Sequence, residues 1–100
     1  MLHTVNKSPY ERANLDSCLR LAQKGSAILL YEDGVYAAVK DADASAKIEG
    51  ALKDLSVFVL GPDLAARGIE ENRLINGVVV VDYGGFVDLV GEHGPTQTWL

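Results

Sequence analysis

Cys18 is the single cysteine in this chain of 100 residues, so any thiol chemistry depends on one sulfur atom. A lone thiol forms no internal disulfide, and a cysteine-based zinc site would need three further ligands. Three roles are left for it: an inert buried residue, a partner in an intermolecular bond, or a nucleophile that carries a group. Because Cys18 lies in an amphipathic segment, residues 14–22, the start of that helix bears on the choice.

Two helix starts are open, and they give the thiol different surroundings. A helix capped by Ser8, with Pro9 at its first position and Glu11 in a capping box, would place Cys18 mid-helix, where the helix dipole has little effect. A helix capped by Asn14 would place the thiol near free N–H groups whose partial positive charge favours a thiolate. Cys18 also belongs to the apolar stripe of this segment, which consists of Leu15, Cys18, Leu19 and Ala22. A place in that stripe favours burial, which raises the pKa of a thiol and blocks access to it.

Three carboxylates form a second candidate site. Asp33, Asp63 and Asp82 each follow an apolar run that predicts a strand. In an open parallel sheet, function is concentrated at the carboxyl ends of the strands. Carboxylates that converge there could hold a magnesium ion or accept a phosphoryl group. The structural alternative has the greater weight, because aspartate is also a common turn former and helix N-cap.

His3 and His93 are the groups that could transfer protons near neutral pH. His3 lies in the first apolar run, where a histidine is more often a core or edge residue than a catalytic base. His93 lies among Gly and Pro residues, which predicts a solvent-exposed loop. No Ser-His-Asp or Cys-His-Asn arrangement can be assembled, and no glycine-rich phosphate loop follows a strand, so no cofactor is predicted.

Alternating strands and helices must position these groups. Apolar runs predict strands at residues 2–5, 27–31, 57–60 and 78–81, with a last short strand at 96–100. Helical spacing of apolar residues covers 14–22, 44–55 and 86–90, and a short turn runs from Pro62 to Arg67. Gly25, Gly68 and Gly91 are predicted helix stops. Three of the runs lack polar alternation, which is typical of parallel strands covered on both faces.

This alternation predicts an α/β fold of three α/β/α layers around a mainly parallel sheet of four to five strands. An apolar content of 48% without a repeat or linker indicates a single domain, residues 1–100. A net charge of −5 with scattered basic residues argues against direct nucleic-acid binding. Because the chain shows no signal-sequence pattern and no apolar stretch long enough to cross a membrane, a cytoplasmic protein is expected.

Six sequence blocks have a recognisable order and spacing that covers the chain nearly end to end. They are residues 1–9, 17–19, 32–38, 60–68, 81–89 and 99–100. Together they resemble the DsrH/TusB family of sulfur-relay subunits. The resemblance implies a DsrEFH-like fold and a heterohexamer with two copies each of this chain, a DsrE/TusD-type subunit and a DsrF/TusC-type subunit. Such a complex passes persulfide sulfur to a DsrC/TusE-type carrier, in dissimilatory sulfur oxidation or in 2-thiolation of the transfer-RNA wobble uridine.

The resemblance also bears on Cys18. A cysteine at this position is typical of DsrH-type members and absent from some TusB-type members, so its presence leans toward the DsrH type, as does the segment 6–12. The principal sulfur-accepting cysteine of such complexes lies on the DsrE/TusD-type subunit, which implies that this chain is a non-autonomous, accessory part of a sulfurtransferase. Cys18 is then either a persulfide carrier or a structural residue. A carrier needs an accessible thiolate with a pKa near ambient pH.

Two functional hypotheses follow. The first is the accessory subunit of a sulfur relay, and its interface candidates are the apolar and aromatic residues Val35, Tyr36, Phe86 and Trp99. The alternative is a stand-alone α/β module that binds a small ligand or a metal ion through the three strand-end aspartates, without thiol chemistry.

Overall fold

The computed structural model describes all residues, 1–100. The strands are β1 (Leu2–Val5), β2 (Ala27–Leu30), β3 (Ser56–Leu60), β4 (Val79–Val81) and β5 (Thr96–Trp99). The α-helices are α1 (Asn14–Leu21), α2 (Ser45–Ala51), α3 (Gly61–Ala66) and α4 (Tyr83–His93), and two 3-10 helices span Glu32–Ala38 and Glu71–Arg73. All five predicted strands are present, including the short last one.

The strands form one sheet in the order β4-β3-β2-β1-β5, and every neighbouring pair is parallel. From β1 the chain moves outward strand by strand to β4, and α4 then brings it back past β1 to the opposite edge. Because parallel crossovers are right-handed, this reversal of direction places α4 on the other face of the sheet. The predicted three-layer α/β architecture is therefore confirmed.

Successive side chains of each strand point to opposite faces of the sheet, so the core consists of two clusters, one on each face. In the larger one, Leu15 of α1, Ile48 of α2 and Leu64 of α3 pack with Ile28 and Val57 of the sheet. The smaller cluster consists of Leu2, Ala27, Leu29 and Leu89. Three helices thus cover one face of the sheet, whereas α4 alone covers the other.

The helix α4 is longer than predicted at both ends, since it spans Tyr83–His93 rather than residues 86–90. The predicted stop at Gly91 is wrong, because the helix continues through it to His93 and ends before Gly94, whose φ is 71°. A Cβ at Gly91 would meet no atom within 4 Å, so nothing in the packing requires a break there. The helix ends at Gly94, whose positive φ is a backbone conformation that favours glycine.

The 3-10 helix Glu32–Ala38 was not predicted. It is pressed against the carboxyl end of β1, where a Cβ on Gly34 would collide with the carbonyl oxygen of Val5. Its first residue, Glu32, has a φ of 47°, and the backbone N–H of Glu32 donates to Asp63 Oδ2 at 2.6 Å. A tertiary contact rather than local propensity holds this turn, which brings the strand-end side chains together.

Candidate functional site

Cys18 is the fifth residue of α1, whose N-cap is Ala13. The carbonyl oxygen of Ser8 accepts hydrogen bonds from the backbone N–H groups of Glu11 and Arg12, both at 3.1 Å, so this segment forms a separate turn. The helix does not run back through it. Of the two predicted starts the later one is confirmed, displaced by one residue because Asn14 is the first helical residue rather than the cap.

The Cys18 side chain is fully buried in the larger core cluster. Burial raises the pKa of its thiol to about 12. The N-terminal partial charge of α1 does not offset this effect, because withdrawal of a thiolate from water disfavours the charged form more strongly. At neutral pH the thiol is therefore protonated and shielded, as the apolar-stripe interpretation expects.

Asp33 and Asp63 meet around an arginine. The Nε and Nη2 atoms of Arg67 both lie 2.9 Å from Asp33 Oδ1, and Nη1 lies 4.0 Å from Asp63 Oδ1. Asp63 also accepts the Glu32 backbone N–H. The structure thus brings these two candidate residues together, but it pairs them with a single guanidinium group and uses them to hold the turn after β2.

Asp82 has a different role. It is the N-cap of α4, and its Oδ1 accepts a hydrogen bond of 2.7 Å from the Gly85 backbone N–H. The chain contains no group of three or more His, Cys, Asp or Glu residues that could hold a metal ion. An ion pair engages Asp33 and Asp63, and a helix cap engages Asp82, so the structure gives these carboxylates the turn and cap roles that the sequence analysis weighted more heavily.

His3 is buried on β1 and pairs with Trp99 of β5. The indole Nε1–H donates to His3 Nδ1 at 3.2 Å, so the neutral ring carries its proton on Nε2. Burial, and secondarily the positive N-terminal amine, lowers the pKa of His3 below its ordinary value of 6.5. A core role for His3 agrees with the prediction. The predicted exposed loop at His93 is wrong, since His93 ends α4 and is partly buried.

The four predicted interface candidates differ in how far their side chains are buried. Val35 is fully buried, and Phe86 and Trp99 are partly buried against the core, which leaves only Tyr36 exposed. Half of the exposed large apolar side chains that the sequence analysis missed lie on β4 and α4: Val79, Tyr83, Val87 and Val90. The sequence does contain a signal for them, because the apolar residues of α4 span a wider arc than one sheet face can cover.

A wholly parallel five-stranded sheet with three helices on one face and one on the other defines a small three-layer α/β domain. The ychN protein from E. coli has this fold, with a TM-score of 0.82 at 19% identity over 97% of both chains. No helix is long and apolar enough to span a bilayer.

Sequence comparison identifies the family. Residues 7–96 match the family model described as DsrH like protein. Protein TusB from Pectobacterium carotovorum subsp. carotovorum is 42% identical over 101 residues, which cover 99% of this chain and 100% of the relative. Protein TusB from Pectobacterium parmentieri is 39% identical over 99 residues with the same coverage. The chain belongs to the DsrH/TusB family, which confirms the resemblance seen in its sequence blocks.

Proposed function

We propose that this protein is an accessory subunit of a sulfur-relay complex. Its membership of the DsrH/TusB family over nearly the whole chain is the observation that carries the proposal. In the proposed complex, DsrE/TusD-type and DsrF/TusC-type subunits join it in a heterohexamer that passes persulfide sulfur to a DsrC/TusE-type carrier. Because the similar curated proteins bear the TusB name, we place the complex in transfer-RNA thiolation rather than in sulfur oxidation.

The surroundings of Cys18 support an accessory role. A sulfur carrier must expose a thiolate, whereas this thiol is buried and has a pKa of about 12. We therefore assign the sulfur chemistry to a partner subunit and a packing role to Cys18. Carriage of a persulfide by Cys18 would require α1 to move away from the sheet, and it is the outcome that would contradict this assignment.

Co-expression with DsrE/TusD-type and DsrF/TusC-type subunits tests the assembly. Size-exclusion chromatography with light scattering is expected to show a stable complex with two copies of each subunit. If this chain elutes as a monomer beside an assembled pair of the other two, the proposed function is wrong.

Intact-mass analysis of that complex tests the role of Cys18. After treatment with a persulfide donor under non-reducing conditions, we expect one added sulfur atom on the DsrE/TusD-type subunit and none on this chain. The control is Cys18→Ala, because Cys18→Ser would bury a hydroxyl group without an assured partner. An added sulfur on the wild-type chain that is lost in Cys18→Ala would make Cys18 a carrier.

A further inference from the structure

An open cavity of about 240 Å³ lies where β1 and β2 begin. Five residues line it: Met1, His3, Leu21, Gln23 and Ser26. They belong to the start of β1, the end of α1 and the segment that leads into β2. This space is called the His3–Ser26 cavity below. It is separate from the three strand-end aspartates, which lie at the opposite end of the strands.

Two of the lining side chains are polar and buried, since His3 is 4% exposed and Ser26 is 6% exposed. Leu2 and Ala27 pair in register and point to the face that α4 covers, so their neighbours His3 and Ser26 both point to the face that α1 covers. The Ser26 hydroxyl makes no hydrogen bond within the chain, and His3 uses only its Nδ1 atom. Buried polar groups are as a rule paired, with protein, water or a ligand. Two such groups that open onto one cavity therefore indicate a binding site.

Trp99 fixes the direction of the free ring nitrogen of His3. Its indole N–H donates to Nδ1 at 3.2 Å, so the neutral ring carries its proton on Nε2. The two ring nitrogens point away from each other, and β5 and β2 flank β1 on opposite sides. The Nε2–H therefore points away from Trp99, toward the side of the cavity that Ser26 forms. Ser26 is the diagonal neighbour of His3, about 8 Å away at Cα from strand spacing, so one small group can contact both side chains.

The charges around the cavity favour a ligand with a single negative charge. No Asp, Glu, Lys or Arg side chain lines it. The surrounding segments, residues 1–10 and 17–31, contain no carboxylate side chain and three basic residues: Lys7, Arg20 and Lys24. Asp54, which packs near this region, lines a different cavity together with Lys24. Arg20 lies in the last turn of α1, where its charge offsets the partial negative charge of the helix end.

We propose that the His3–Ser26 cavity binds a small monocarboxylate with a short aliphatic tail. The carboxylate accepts hydrogen bonds from the His3 Nε2–H and the Ser26 hydroxyl, and the exposed apolar side chains of Met1 and Leu21 contact the tail. A dianion such as sulfate fits poorly, because no basic side chain lines the cavity to balance its second charge. This inference goes beyond the proposed function and involves neither the thiol nor the strand-end aspartates.

Titration of the isotope-labelled full chain with sodium butyrate at neutral pH tests the proposal by NMR, with sodium chloride at matched ionic strength as the reference. Trp99 is the single tryptophan and bonds directly to His3, so its indole N–H signal reports on the cavity together with the Ser26 amide. We expect saturable shifts with a Kd in the millimolar range, as for other ligands with so few atoms. Sodium sulfate should give no saturable shift.

Two variants each remove one proposed donor. Ser26→Ala breaks no hydrogen bond of the fold, so it should keep its stability and raise the Kd for butyrate about tenfold. His3→Phe keeps an aromatic ring but lacks the Nε2–H, and it should weaken binding at least as much. The control is Ser56→Ala, which changes an exposed serine outside the cavity at the start of the neighbouring strand β3 and should bind like the wild type.

Each outcome decides the proposal. Saturable binding of butyrate that Ser56→Ala keeps, and that Ser26→Ala or His3→Phe weakens at an unchanged melting temperature, supports the carboxylate site. Equal Kd values in the wild type and both cavity variants show that butyrate binds elsewhere and overturn it. Linear shifts without saturation mean that water alone fills the cavity, and tighter binding of sulfate than of butyrate means that the assigned ligand is wrong. The titration uses this chain alone, so its failure leaves the proposed assembly untouched.

Discussion

The indole N–H of Trp99 donates a hydrogen bond to Nδ1 of His3, with 3.2 Å between the two nitrogens. The residues lie 96 positions apart in sequence, on adjacent parallel strands in which His3 pairs in register with Gln97. Trp99 therefore reaches back diagonally along the sheet to the first strand. Only a neutral imidazole can accept this bond, because both ring nitrogens are donors in the protonated form.

The unfolding free energy should therefore depend on pH through His3. The folded pKa of His3 lies below its ordinary value of 6.5, so the unfolded chain binds the proton more readily. The contribution of His3 is fully present above pH 6.5 and is lost as the pH falls from there through the lower folded pKa. Urea unfolding between pH 8 and pH 5 measures it. His3→Gln should flatten this part of the profile, and a His3→Gln profile that matches the wild type would contradict the prediction.

Cys18 should react slowly in the folded protein. A buried thiol with a pKa of about 12 presents almost no thiolate at pH 7.5, and reagent reaches it only when α1 opens. We expect labelling by a disulfide reagent to be at least about a hundredfold slower in buffer than in denaturing urea. Absorbance of the released thiol follows the reaction, and similar rates in the two solvents would show that the site is accessible.

Two glycines of α4 should respond to alanine in opposite directions. A Cβ at Gly85 would lie 2.9 Å from Val81 Cβ, so Gly85→Ala should destabilise the fold by about 1–3 kcal/mol through overpacking. Gly91 has no such neighbour and lies within the helix, so Gly91→Ala should stabilise by about 0.5–1 kcal/mol. Thermal and urea unfolding give both values. The same sign for both variants would show that α4 packs differently.

Asp63 should contribute more to stability than Asp33, although both contact Arg67. Asp33 is 54% exposed in its side chain and has only the ion pair, so Asp33→Ala should lose no more than about 1 kcal/mol. Asp63 is 18% exposed and also accepts the Glu32 N–H, so Asp63→Ala should lose about 1–2 kcal/mol. Matched urea titrations compare them. A larger loss in Asp33→Ala would mean that the ion pair, not the turn, stabilises this edge.

The strands and the class of fold could be predicted because their signals are local. Uninterrupted apolar runs identify β2 and β3 as strands covered on both faces, and the sheet confirms it. The start of α4 was missed because Gly84 and Gly85 weaken the helical signal. Glycine is needed at position 85 for close packing on Val81, and such a contact cannot be read from local sequence.

The candidate sites, too, could be predicted only where local sequence determines the surroundings of a residue. Burial of Cys18 follows from its place in an apolar stripe, and the sequence predicted that alternative. The use of Asp33 and Asp63 could not be predicted, because their partner Arg67 is 34 residues from Asp33 and becomes a neighbour only when β2 and β3 pair. Sequence reasoning identified which carboxylates end strands, but their charge partners depend on tertiary structure.

Because β5 pairs with β1, the sheet cannot be completed during synthesis until β5 has been made. β1 is made first but acquires its second neighbour last, since β5 follows every other element in the sequence. Until residues 96–99 have left the ribosome, β1 is an edge strand with one row of unpaired backbone N–H and C=O groups. A nascent chain that stalls before that point presents a strand with one unpaired edge to other chains, and β5 removes this hazard by pairing with β1.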